Sequence, residues 1–227
     1  MLWNKFYRLA QCNMEFNSPL FQKYAEFTGH AEGGLSNNPN DSAAKFVKAG
    51  QYHTNRGIIW PTFQTYSKVL GVAPTYINFL GLTKDQANKI LHEYYKVASK
   101  GINDPLTGLI LTNIYWGSGN VLGSHTRLAL REMGLPVKIT GNFDQDIKNI
   151  INAQDPAKFR ASLMKVRKDW LTALTERRPQ NKVFLKGWLA REDRFRKEFL
   201  EGQDPEKKNS LAFLALLLGG FLFFRKN

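Results

Sequence analysis

Glu32 and Asp41 are the two residues of this chain whose types and spacing most plainly suggest chemistry. Glu32 sits in His30-Ala31-Glu32-Gly33-Gly34, where two glycines stop a run of helical character. Asp41 follows in a loop of turn-forming residues, Asn38-Pro39-Asn40-Asp41. Paired carboxyl groups in different surroundings are the working parts of most glycosidases. One must keep its proton near neutral pH to donate it to the leaving oxygen, and the other must stay ionised. An ordinary Glu titrates at about 4.3, so the donor needs partial burial to hold its proton. Each residue also has a plainer reading. A surface Glu before a glycine helix stop is common, and Asp after Pro-Asn readily makes an Asx-turn.

Elements must place these groups, and the sequence predicts mostly helices. Ser18 can cap a helix that Pro19 begins. Leu20, Phe21, Tyr24, Ala25, Phe27 and Thr28 form its apolar stripe, and Gly33-Gly34 ends it. Residues 35–57 read as loop with a short hairpin. Helices are expected over Thr62–Leu70, from Thr83 to Ser99 with a Thr83/Gln86 capping box, and from Asp104-Pro105 to Trp116. Gly117-Ser118-Gly119 breaks the last of these. Further helices are expected over Ser124–Glu132, Phe143–Asn152, Pro156–Arg177 and Val183–Leu200. The expected class is mainly α.

The first segment, with Thr54-Asn55-Arg56-Gly57-Ile58 after it, resembles the start of glycoside hydrolase family 108, the N-acetylmuramidases of phages and Gram-negative bacteria. Phe184-Leu185-Lys186-Gly187-Trp188-Leu189-Ala190-Arg191 resembles the segment closing the companion peptidoglycan-binding region. The resemblance covers roughly residues 18–200. It departs at Ser42-Ala43-Ala44, where the family usually has Gly-Gly, at about seven extra residues near Lys45–Gln51, and at Leu35, where an aromatic is usual. It implies a lysozyme-like helical domain with a short loop or hairpin at the active site, cutting the glycan strands of peptidoglycan. It implies Glu32 as general acid and Asp41 as second carboxylate. Thr54 resembles the threonine that positions the attacking water in phage-type lysozymes; its alternative is a hydroxyl bonded to local backbone. With both roles filled the enzyme inverts, because water attacks the face opposite Glu32. Trp188 and Arg191 are expected to clamp the last helix onto the body.

Tyr94, Tyr95, Tyr115 and Trp116 are candidates to line a sugar cleft, since aromatic faces stack on pyranose rings while Tyr and Trp add a polar handle. Core packing is the alternative for each. The chemistry calls for no metal or cofactor, and the single Cys12 and four scattered His residues offer no ligand spacing. A net charge of +13 favours polyanions such as the bacterial envelope. No nucleic-acid-binding motif accompanies it. A dense basic stretch from Lys165 to Lys197 fits attraction to envelope polymers or lipid headgroups.

Leu211–Phe224 is an uncharged apolar run between Lys207-Lys208 and Arg225-Lys226. As a helix it spans about 21 Å, short of a hydrocarbon core of about 30 Å, a gap that snorkelling Lys and Arg can narrow. It has no polar face, so a membrane-anchoring hydrophobic helix is expected. The organisation reads as an N-terminal extension (1–17), a lysozyme-like catalytic region (18–105), a helical peptidoglycan-binding-like region (106–200), a linker (201–209) and the membrane segment (210–227). A cleavable signal peptide is not expected. The expected location is a membrane facing the cell wall or periplasm, or a phage virion membrane, in a setting of phage lysis or host penetration. Two rivals remain: a non-catalytic peptidoglycan-binding anchor, and a membrane-disrupting lysis protein.

Overall fold

A computed structural model describes residues 14–201, with the backbone alone at 31 and 32. The expected apolar tail, most of the linker and residues 1–13 of the N-terminal extension lie outside the described residues. Among those described, no helix is long and apolar enough to cross a membrane.

The chain is mainly helical. Helix α1 (Pro19–Glu32) starts as its sequence dictates: the Ser18 hydroxyl accepts from the Phe21 amide, and Pro19 occupies the first turn. Gly33 ends it with φ +62°, a left-handed backbone that a side chain would strain. A small antiparallel sheet follows, in the order β1 (Leu35–Ser36), β2 (Thr54–Asn55), β3 (Ile58–Ile59). Between β1 and β2 lies a 3-10 turn, Ser42–Phe46. Strands β2 and β3 pair as Thr54↔Ile59 and Asn55↔Ile58, so Arg56-Gly57 is a two-residue hairpin turn. Both turn residues have positive φ, 51° and 76°, as a turn that follows the sheet's twist requires. Glycine takes that conformation freely; Arg56 is held there by its Nε donating to the Leu82 carbonyl at 3.0 Å.

Eight helices complete the described chain up to Phe195: α2 (Trp60–Tyr66), α3 (Tyr76–Leu80), α4 (Lys84–Ser99), α5 (Pro105–Ser118), α6 (Leu122–Glu132), α7 (Gln145–Asn152), α8 (Pro156–Arg177) and α9 (Lys182–Phe195). A π turn, Arg196–Leu200, splits the single helix expected over Val183–Leu200. Helix α2 begins before Thr62 because Pro61 fits its first turn, and it stops at Tyr66 rather than Leu70. Asp144 caps α7, so that helix starts at Gln145 rather than Phe143.

Two hydrophobic clusters lie under these elements. The larger surrounds α5, whose Leu109, Ile110, Leu111 and Ile114 meet Phe21 and Tyr24 of α1, Tyr95 of α4 and Phe159 and Leu163 of α8. The smaller lies beneath the hairpin and joins Ile58, Phe63, Phe79, Leu82 and Ile90. Trp116, at the end of α5, packs against both.

Candidate active site

The catalytic candidates come from three segments that the small sheet draws together. Glu32 is the last residue of α1. Three residues later the chain enters β1, whose Ser36 is the register partner of Thr54. The Gly34 carbonyl accepts from Arg56 N and the Ser36 carbonyl from His53 N. The end of α1 is thereby tied to the strand carrying Thr54. The hairpin is fixed from below by Asn55, which is buried and donates through Nδ2 to the carbonyls of Phe79 (2.8 Å) and Leu80 (3.1 Å). A buried amide left without such partners would cost about 1–3 kcal/mol. The Thr-Asn-x-Gly-Ile pattern thus divides its labour: Asn55 anchors, Gly57 turns, Ile58 packs into the core, and Thr54 stays half-buried at the surface.

A cleft of about 780 Å³ opens here. Asp41, Thr54, Gly57 and Ile59 line one side of it. Val183, Phe184, Gly187, Trp188, Arg191 and Glu192 of α9 line the other, with Asn113, Trp116 and Arg167 between. His30 lines this cleft and also a smaller adjoining cavity of about 160 Å³, which Gly33 lines as well. The backbone of Glu32 therefore runs between a residue that borders both spaces, His30, and one that borders the smaller, Gly33. Asp41 is half-buried. Its Oδ1 accepts from the Ala43 amide at 2.9 Å, capping the 3-10 turn that stands where the family's usual Gly-Gly is missing. The turn role and a place on the cleft are thus combined in one residue, because a single carboxylate oxygen suffices for the cap.

His53 is a residue that the sequence reading passed over. It is buried at 1% exposure. Its Nδ1 lies 2.8 Å from Thr54 Oγ1 and its Nε2 3.1 Å from the Asn38 carbonyl. That same carbonyl accepts from the Asp41 amide at 3.0 Å. Nothing in the local pattern marks His53, since the contact spans fifteen residues of loop.

The aromatic candidates part company. Trp116 lines both the cleft and the smaller cavity. Tyr94 and Tyr115 pack behind it, with Tyr94 5.0 Å from Trp116 and 4.9 Å from Tyr115 between ring centres. Burial raises the Tyr94 phenol above its ordinary value. Tyr66 completes this aromatic group, 5.7 Å from Tyr94. Tyr95 corrects the expectation: at 1% exposure it belongs to the main core, packed against Phe21 and His92, and its ring cannot reach a sugar. Its neighbour Tyr94 lies about 100° around the helix, so the two face different surroundings.

Helix α9 also departs from expectation. Arg191 does clamp, donating to Asn113 Oδ1 on α5 from Nε and Nη2 at 3.3 and 3.2 Å. Trp188 does something else: it stacks on Phe184, 5.8 Å between centres and 27° between planes, and faces the cleft. Beneath it, Glu192 and Arg167 form an ion pair at 3.2 Å, both nearly inaccessible. Asn113 Nδ2 donates to Glu192, and Arg167 Nη1 to Ser118 Oγ at 2.7 Å. The basic stretch is also less bare than its sequence suggests, because Lys165 pairs with Glu132 and Asp169, and Lys168 with Asp193.

Comparison with known proteins agrees with this arrangement. Residues 25–119 match the family described as glycosyl hydrolase 108, and residues 125–193 match the predicted peptidoglycan domain. The structure is similar to that of Brucella abortus SagA, with a TM-score of 0.60 and 21% sequence identity over 82% of this chain and 98% of that one. No curated protein matches the chain. The candidate segments, the cleft and both sequence matches point the same way: with a stretch that matches glycosyl hydrolase 108 ahead of one that matches the predicted peptidoglycan domain, this chain is a peptidoglycan hydrolase, a glycoside hydrolase of the muramidase type.

Proposed function

We propose that the enzyme cuts the β-1,4 bond between N-acetylmuramic acid and N-acetylglucosamine by single displacement, with inversion at the anomeric carbon. One observation carries this reading: Asp41 and Thr54 share one cleft with the end of the helix that carries Glu32. In the step proposed, the Glu32 carboxyl gives its proton to the leaving oxygen as the C1–O bond breaks. A water held by Thr54 and Asp41 attacks C1 from the opposite face, and its proton passes to Asp41. Trp116 and the Phe184–Trp188 pair would hold pyranose rings along the cleft.

Digestion of purified peptidoglycan tests the proposal. New reducing ends should all be muramic acid, and proton NMR should detect the α-anomer first. Reducing N-acetylglucosamine would overturn the bond assignment, and a β-anomer formed first would overturn inversion.

Membrane association is part of the same proposal and rests on the apolar run Leu211–Phe224 with its basic flanks. Burying that run in lipid is favourable by about 25 cal/mol per Å² of apolar surface. The full chain should float with anionic liposomes, and a chain ending at Glu201 should remain in the soluble fraction with its hydrolase activity intact. Equal behaviour of the two would remove the anchor. A setting in phage lysis or host penetration accords with a wall hydrolase carrying such a tail.

A further inference from the structure

We infer that His53 is a positioning residue, which fixes the proton of the Thr54 hydroxyl and ties that hydroxyl to the turn bearing Asp41. The inference rests on the proposed role of Thr54 as the group that orients the attacking water.

The Asn38 carbonyl can only accept, so the His53 Nε2 facing it at 3.1 Å must carry the hydrogen. In neutral imidazole the other nitrogen is then bare. The Thr54 hydroxyl, 2.8 Å from Nδ1, donates to it. That donation has a consequence on the cleft side. With its only hydrogen directed at His53, Thr54 Oγ1 presents lone pairs alone to a water. Asp41, as a carboxylate, is also purely an acceptor. A water between them gives one hydrogen to each and keeps a lone pair for the anomeric carbon. A Thr54 hydroxyl free to rotate could donate to the water instead and occupy the lone pair that must attack.

The second consequence is geometric. The Asn38 carbonyl accepts from both His53 Nε2 and the Asp41 amide. His53 therefore spans Thr54 on β2 and the Asn38–Asp41 turn, although these are separated by the 3-10 turn and the inserted residues. The imidazole is buried at 1% exposure, so the link is shielded from competing water. The inferred chain runs Thr54 hydroxyl, His53 ring, Asn38 carbonyl, Asp41 amide, and it holds the two water-binding groups in one frame.

Three variants separate this role from simple loop support. His53→Gln keeps a donor able to reach the Asn38 carbonyl but removes the Nδ1 acceptor. His53→Asn keeps an acceptor near the place of Nδ1. Thr54→Val removes the hydroxyl at nearly constant shape. On soluble glycan fragments, His53→Gln should lower kcat by about 10–100-fold, the scale of a misplaced reactant, with KM little changed. His53→Asn should recover most of that loss. In a Thr54→Val background, His53→Gln should bring no further loss, because the partner it serves is gone. Full loss from His53→Gln in that background would overturn the inference and leave His53 as loop support. Wild-type activity in Thr54→Val would overturn the Thr54 reading beneath it. A test independent of catalysis and of variant folding is ¹⁵N NMR of the histidine-labelled wild-type protein. The inference requires the Nε2–H tautomer of neutral His53, and the Nδ1–H tautomer would overturn it.

Discussion

Asp41 and Glu192 line opposite walls of one cleft in opposite conditions. Asp41 stands on a loop, half-buried, with one oxygen engaged by a single backbone amide. Glu192 stands on a helix at 2% exposure, held by Arg167 and Asn113. A carboxylate already neutralised by a buried guanidinium has nothing left to give a substrate, whereas one with an open oxygen can take a proton from water. On the proposed mechanism the loop wall supplies the chemistry, while the helix wall holds its own shape and presents Phe184 and Trp188 to the cleft. Position on the cleft alone does not make a carboxylate reactive; the partners it has already accepted decide.

The largest effect is expected at Glu192. Glu192→Ala should destabilise the fold by about 3–5 kcal/mol, because it strands Arg167 as a buried unpaired charge. Urea unfolding measures this, and a loss below about 1 kcal/mol would mean that the pair is dispensable. On the loop wall the signs reverse. Asp41→Asn should leave the unfolding midpoint nearly unchanged, since Asn caps a helical turn as well as Asp does. Its wall hydrolysis should fall by about 10²-fold or more, the worth of a positioned base.

A smaller effect sharpens the division. Trp188→Ala should raise KM for soluble glycan fragments by up to about tenfold with kcat retained, as loss of uniform binding does, given a stacking contribution of about 0.5–1.5 kcal/mol. A fall in kcat at constant KM would move Trp188 into the catalytic group. The smallest effect concerns pH. His125 lies against Trp170 behind the helix wall. Burial first, and then the neighbouring Arg167 charge, lower its pKa from 6.5 to about 4. Between those values the unfolded chain binds more protons than the folded one. The contribution to stability is therefore complete above about pH 6.5 and is lost as the pH falls toward 4. His125→Leu should flatten the dependence of the unfolding midpoint on pH in that window. An unchanged slope would place the acid sensitivity elsewhere.

What the sequence disclosed follows the range of the interactions involved. Helix starts were legible because caps act within three residues: Ser18, Thr83 with Gln86, Asp104 and Asp155 all accept from the backbone ahead of them. The five-residue α3 was not, because its apolar side chains gain meaning only where Phe79 meets Trp60 and Phe63. Glu32, Asp41 and Thr54 could be singled out by type and pattern. The cleft that Asp41 and Thr54 share with the end of α1 could not, since its second wall comes from Val183–Arg194, more than a hundred residues away. His53 and the Arg167–Glu192 pair were hidden for the same reason: a buried polar group reveals its purpose through a partner, and these partners are distant in the chain. Tyr95, for which cleft and core were both open, belongs to the core, because adjacent positions on a helix face different surroundings.

The most direct test of the account is the initial rate at which Glu32→Gln releases reducing ends from purified peptidoglycan, set beside the wild-type rate at equal folded concentration. Glutamine keeps the size of the side chain and removes the transferable proton. The rate should fall by about 10²–10⁴-fold with an unchanged unfolding midpoint. A rate near that of the wild type would contradict this and remove the general acid from the end of α1.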